Sequence, residues 1–143
     1  MRYLLDTCVI SELVSKQPNP AVIGWIDQLE DERVYLSVIT LGEIQKGVAK
    51  LPDSQRKELL ERWLEEELLS RFQERILEID LAVMRRWGKL CAQLDQVGRP
   101  MPAIDSLIAA LALEHEMQLV TRNEADFQAS GVALFNPWVA ENI

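Results

Sequence analysis

Histidine and cysteine are scarce in this chain, and their scarcity removes whole classes of chemistry. One histidine in 143 residues excludes most histidine-based zinc sites, which gather two or three imidazoles around one ion. That residue, His115 in "LEHEMQ", reads as part of the last turn of a helix, where a ring able to carry positive charge suits the helix dipole. No G-x-S-x-G stretch accompanies it, so a Ser-His-Asp hydrolase built on a nucleophile elbow is set aside. The two cysteines, Cys8 and Cys91, lack metal-ligand spacing and lie in apolar segments. Both are expected to be buried thiols, not a disulfide or a catalytic pair. No run of about 18 apolar residues occurs, and no basic stretch leads into a long apolar one at the amino terminus. Neither a transmembrane helix nor a signal peptide is expected, and the chain reads as cytoplasmic, with no membrane partner. Positive charge is short as well: 15 Lys and Arg against 23 Asp and Glu give a net charge of −8. This is the opposite of the usual nucleic-acid footprint, so a polyanionic substrate would need local basic residues, a metal ion, or both. The six glycines are scattered and form no G-x-x-x-x-G-K-[ST] loop, which counts against a phosphate-cradling hydrolase.

What remains is ordinary globular material, 48% hydrophobic and 27% charged, enough to bury a core in one domain over residues 1–143. Short β-branched or apolar runs ("RYLLD", "VYLSVI", "RILEID", "QLVTR", "VALFN") alternate with helical patterns ("AVIGWIDQLE", "TLGEIQKGVAK", "SQRKELLERWLEEELLSRF", "LAVMRRWGKLCAQLDQVG", "AIDSLIAALALEHE"). Such alternation predicts an α/β fold, a parallel sheet covered by helices. The breaks "KQPNP" and "VGRPMP" punctuate elements and are too short for linkers. The tryptophans Trp25, Trp63, Trp87 and Trp138 are spaced too far apart for a base-stacking ladder and read as core or interface anchors.

Acids stand at particular places in this pattern. Asp6 follows the first strand run, Glu43 lies in "SVITLGEIQKG", Asp105 in "MPAIDSLIAA", and "VTRNEADF" holds Asn123, Glu124 and Asp126. Each has a structural explanation. Asp6 suits a helix cap. Thr40 and Glu43 have the T-x-x-E spacing of a capping box. Asp105 falls in a first turn after Pro102, where negative charge suits the dipole, and Asp126 suits a loop cap. Taken jointly, Asp6, the segment leading to Glu43, and Asn123 each come at or just after the carboxyl end of a predicted strand. In parallel α/β sheets these ends line one crevice, where ligands bind. Converging carboxylates raise one another's pKa unless a cation compensates, and an oxygen-only set without His or Cys partners points to Mg²⁺ or Mn²⁺.

The segments "LLDTCVISE", "LSVITLGEIQKGV", "AIDSLIAALALEH", "VTRNEADF" and "FNPW", in this order across nearly the whole chain, resemble the PIN-domain ribonucleases. The likeness is strongest to the VapC and FitB-like toxins of bacterial toxin–antitoxin pairs. The resemblance implies a three-layer α/β/α sandwich with a central parallel sheet and a Mg²⁺- or Mn²⁺-dependent endoribonuclease that leaves a 5′-phosphate and a 3′-hydroxyl. It places the catalytic, metal-holding acids on Asp6, Glu43 and Asp105. The fourth position is completed by Asn123 or Asp126; Asp126 is expected to bring its charge to the metal, and Asn123 to act in the outer shell with Thr7 and Thr40. Arg99 and Arg122, each close in sequence to a site acid, are the expected phosphate contacts, ahead of Lys46, Lys50, Arg85, Arg86 and Lys89. Cys8 stands where many relatives have asparagine. The implied partners are an RNA substrate, a second copy in a homodimer, and a small antitoxin with a basic carboxyl-terminal segment, DNA being reached only through that antitoxin. The alternative is a catalytically silent PIN-like binding module whose acids merely cap helices.

Overall fold

A computed structural model of the chain describes residues 1–139, so the last four positions of the domain expected over 1–143 lie outside the described residues. Five short strands form one parallel sheet: β1 Tyr3–Leu5, β2 Val34–Ser37, β3 Ile76–Leu77, β4 Gln118–Val120 and β5 Leu134–Phe135. Each lies within one of the five expected strand runs. Their order is β3-β2-β1-β4-β5. The chain builds outward from β1 through β2 to β3, then returns past β1 to lay down β4 and β5. The direction of building therefore reverses between β1 and β4, the place where a parallel sheet opens a crevice beyond its carboxyl ends.

Successive strand residues face opposite sides, and the two faces carry separate cores. Leu5, Val34, Leu36 and Val120 pack with Val9 and Ile10 of α1 (Thr7–Leu13), Val22 and Ile26 of α2 (Pro20–Asp27), and Ile44 and Val48 of α3 (Val38–Ala49). The same cluster takes in Leu64, Leu68 and Phe72 from a longer helical run. That run begins as α4 (Gln55–Arg62), loosens to a π-helix over Trp63–Leu68 and closes as α5 (Leu69–Arg71). Leu4 and Leu119 point the other way, against α6 (Leu81–Gln96), α7 (Ala103–Glu114) and Phe127 of α8 (Glu124–Phe127). The result is the three-layer α/β/α sandwich. The alanines at 109, 110 and 112 of α7 are wholly buried, which lets this helix lie close against the sheet.

Several local expectations need correction. "VYLSVI" is not strand throughout: β2 stops at Ser37, whose hydroxyl accepts the Thr40 N–H at 3.0 Å and caps α3. Val38 and Ile39 are thus already helical, and the strand passes into the helix without a loop. The capping box on Thr40 and Glu43 does not form either, because Ser37 occupies the cap position and Glu43 lies in the second turn. Cys8 and Cys91 are both only half-buried. His115 takes the C-cap position of α7. Among the described residues, no helix is long and apolar enough to cross a membrane.

Candidate active site

Asp6 is the last residue in register with β1, its N–H still donating to the Val120 carbonyl at 3.0 Å. It is also the N-cap of α1, with φ −72° and ψ 162°. This double duty explains the abrupt passage from strand to helix in "YLLDTCVISE". Its carboxylate is 6% exposed and held on both sides. Oδ1 accepts the Thr7 N–H at 2.8 Å, and Oδ2 accepts the Thr121 hydroxyl at 2.8 Å. The Cys8 thiol lies 3.8 Å from Oδ2. Burial pushes the Asp6 carboxyl above its ordinary pKa; the hydrogen bonds from Thr121 and Thr7 oppose the rise, and the Glu43 charge adds to it.

Glu43 reaches the site from the second turn of α3. Its Oε1 accepts the Thr7 hydroxyl at 2.5 Å, and the Thr7 oxygen lies 3.3 Å from that of Thr40. Thr40 is fully buried, so Thr7 and Thr40 make a hydroxyl bridge between the starts of α1 and α3. Asp105 sits in the first turn of α7. Its carboxyl is also pushed upward, first by burial and then by the negative charges of Asp6, Asp126 and Glu43. Asp105 therefore lies in the field of the other three expected acids, although the four come from separate stretches of chain. A cleft of about 490 Å³ beside them is lined by Asp105, Asp126 and Arg99. The other expected phosphate contact, Arg122, has its guanidinium 5.4 Å from the centre of the Trp138 ring, while Arg86 is paired with Glu114 at 3.2 Å.

Thr121 was not among the expected site residues, yet it makes the closest side-chain contact to Asp6. It is fully buried; its hydroxyl donates to Asp6 and accepts the Asn123 N–H at 3.0 Å. Asn123 thus touches the site through its backbone and Thr121, and its side chain does not cap α8. The signal lay in strand pairing. Leu5 is opposite Val120, so the next residue of each strand, Asp6 and Thr121, must emerge side by side. Cys8 joins the same knot, with its sulfur accepting the Arg122 N–H at 3.4 Å.

Among the described residues, no group of three or more His, Cys, Asp or Glu is already disposed to surround a metal ion. The donor chemistry nevertheless fits Mg²⁺ or Mn²⁺: Asp6, Glu43, Asp105 and Asp126 offer hard oxygens only. Burial first, and then the negative charge of neighbouring acids, raises the Asp6 and Asp105 carboxyls, and a divalent cation held among these oxygens would favour their charged forms. The chain supplies a repelling set of donors around a crevice, not a finished cage.

A parallel sheet in this order, with acids collected where it opens, defines a recognisable class. The PIN domain family model matches residues 3–131. Toxin FitB of Neisseria gonorrhoeae is 42% identical over 94% of this chain and 97% of its own. VapC ribonuclease Y4jK of Sinorhizobium fredii is 38% identical over 94% of this chain and 96% of its own. The solved structure of FitAB bound to the IR36 DNA fragment superposes with a TM-score of 0.91, at 41% identity and 95% coverage of both chains. This chain belongs to the PIN-domain family and, within it, to the VapC and FitB toxins of toxin–antitoxin systems.

Proposed function

We propose that this chain is a metal-dependent endoribonuclease, the toxin of its pair, in which Asp6, Glu43 and Asp105 hold Mg²⁺ or Mn²⁺ and Asp126 adds negative charge beside them. The observation that carries the reading is the set of acids collected at the switch point of the sheet: Asp6 and Glu43 joined through Thr7, and Asp105 in the field of both and sharing a cleft with Asp126. Acids that only capped helices would have no reason to converge, and Glu43 caps nothing. The relative Y4jK, named as a ribonuclease, supports RNA as the substrate class. A divalent ion held by these oxygens would offset the phosphate charge and lower the pKa of a water for in-line attack on phosphorus.

The chain's own residues do the positioning. Thr121 and the Thr7 N–H fix both oxygens of Asp6, so its carboxylate cannot swing away. Thr7 fixes Glu43, with Thr40 behind it. Asn123 and Asp126 belong to the outer shell and its charge. Arg99, at the rim of the cleft it shares with Asp105 and Asp126, is placed to take a phosphate flanking the one attacked. Arg122, steadied on Trp138, is the second basic candidate.

The partners follow from charge. An acidic crevice in a chain of net charge −8 attracts and orients a basic segment, and an arginine or lysine among the acids competes with the metal. A small antitoxin with a basic carboxyl terminus fits this, as does a homodimer of the toxin. The FitAB complex with DNA is consistent with DNA being reached through the antitoxin. Replacing the antitoxin's basic residues by alanine should restore RNA cleavage in a mixture of the two proteins. Full inhibition by that altered antitoxin would remove the competing-cation account. The nuclease reading itself is tested by the effect of Asp105→Asn on RNA cleavage with and without Mg²⁺. Loss of activity is expected, and normal Mg²⁺-dependent cleavage by the variant would refute the site.

A further inference from the structure

A second cleft, of about 560 Å³, opens between α3 and the start of α7, within the size range of small-molecule sites. Glu43 is among its lining residues, so the cleft adjoins the candidate site at that acid. Beyond Glu43 it is lined by Lys46 and Lys50, and its apolar side is made by Ile79, Ile104 and Leu107. Ile79 is 37% exposed and Ile104 44%, large values for isoleucines beside a site otherwise dominated by charge.

The lysines are hard to explain as ordinary surface. They stand four residues apart, Lys46 in the last turn of α3 and Lys50 at its C-cap, a helical spacing at which like charges repel. The chain has 23 acids, yet among the described residues neither lysine is in an ion pair. Glu43, three residues before Lys46 and spaced to pair with it, is instead engaged with Thr7. The end of a helix favours positive charge, which accounts for the sign but not for two cations on one apolar cleft. Gly42 and Gly47 line the same cleft. A Cβ on either would meet nothing within 4 Å, and neither has a positive φ, so neither packing nor backbone conformation demands glycine. In a helix interior each weakens the helix relative to alanine. Their effect is bare backbone beside two unpaired cations and an apolar wall.

Resting on the nuclease reading above, we propose that this cleft is a nucleotide subsite for single-stranded RNA adjoining the cleavage site. The base of an unpaired nucleotide lies against Ile79, Ile104 and Leu107, and Lys46 and Lys50 hold the flanking phosphates. A paired base cannot be laid on that wall, so the cleft selects loops, bulges and ends over duplex.

The test is fluorescence anisotropy with a labelled, short, all-uridine RNA in EDTA, where no cleavage intervenes, over a series of salt concentrations. The proteins are wild type, the double variant Lys46→Gln/Lys50→Gln, Gly47→Leu, and Lys16→Gln as an exposed control outside the cleft. The double variant should bind about tenfold more weakly at low salt. The slope of log affinity against log salt should fall in magnitude by about 1.4, roughly 0.7 for each single-strand phosphate that a lysine no longer neutralises. Gly47→Leu should weaken binding without changing the slope, because it fills the cleft and removes no charge. Lys16→Gln should behave as wild type. Unchanged affinity and slope in the double variant would overturn the subsite while leaving the nuclease reading intact if Mg²⁺-dependent cleavage persists. A changed molar mass by light scattering with RNA binding intact would make the cleft an interface between copies and equally overturn it. A wild-type protein that neither binds nor cleaves RNA would overturn both readings.

Discussion

Asp105 and Thr121 show how single side chains set the site's energetics in opposite directions. Asp105 is raised by burial and by three neighbouring acids, so ionising it costs more in the folded chain than in the unfolded one. Its contribution therefore favours the fold at low pH and is lost as pH rises from the ordinary value of 3.8 through the raised folded value. In EDTA at neutral pH, Asp105→Asn should melt at a higher temperature than wild type, with the gain shrinking as pH approaches 4. A lower melting temperature at neutral pH would mean that this carboxylate is not strained by its neighbours. Thr121 acts the other way, donating to Asp6 and accepting from the Asn123 N–H while fully buried. Thr121→Val should cost about 1–3 kcal/mol in urea unfolding, because a buried carboxylate loses a donor and a backbone N–H loses its acceptor. Thr121→Ser should recover most of that loss. Equal losses in both variants would point to the methyl group's packing instead.

Glu43 and Ser37 divide the two roles that the sequence pattern T-x-x-E merges, and the difference belongs to the element α3. Ser37 caps the helix, so Ser37→Ala should cost about 1 kcal/mol. Glu43→Gln should alter stability by no more than about 0.5 kcal/mol, as for a residue outside any cap, while removing cleavage. A cap-sized loss with cleavage intact would return Glu43 to a structural role. The same element shows where the sequence was legible and where it was not. The five strand runs and the helices between them could be read because their hydrophobic periods differ; as candidates, Asp6 stood out where the strand period gives way to a helix, and Glu43 and Asp105 through the motif segments around them. The start of α3 could not be read, since "VYLSVI" is apolar throughout and both strand and helix accept it; only Ser37's hydroxyl decides where one ends. Thr121 was hidden for another reason. Its importance comes from lying beside Asp6 across a strand pair, and register is a property of the folded sheet. Within "TRNEADF" the sequence leaves Asn123 and Asp126 as alternatives for the fourth position; in the structure Asn123 reaches Thr121 through its backbone N–H, while Asp126 shares a cleft with Asp105.

For the whole molecule, an acidic chain that gathers its acids has a native state strained by its own charge and eased by cations. Adding Mg²⁺ should raise the melting temperature of wild type progressively, with about 2.7 kcal/mol of added stability once the ion reaches a hundred times its dissociation constant. Asp6→Asn should show little of this gain, and an equal rise in both proteins would mean that the ion acts on general surface charge. Arg99 lines the cleft that holds Asp105 and Asp126, and Lys46 and Lys50 line the one that holds Glu43, so three of the fifteen basic residues stand beside a candidate acid. The most direct measurement is Mg²⁺-dependent cleavage of a mixed RNA pool by wild type and by Asp6→Asn, each purified free of antitoxin. Wild type should produce discrete fragments that vanish in EDTA, and Asp6→Asn should produce none at any practical Mg²⁺ concentration; cleavage by the variant equal to that of wild type would contradict the account.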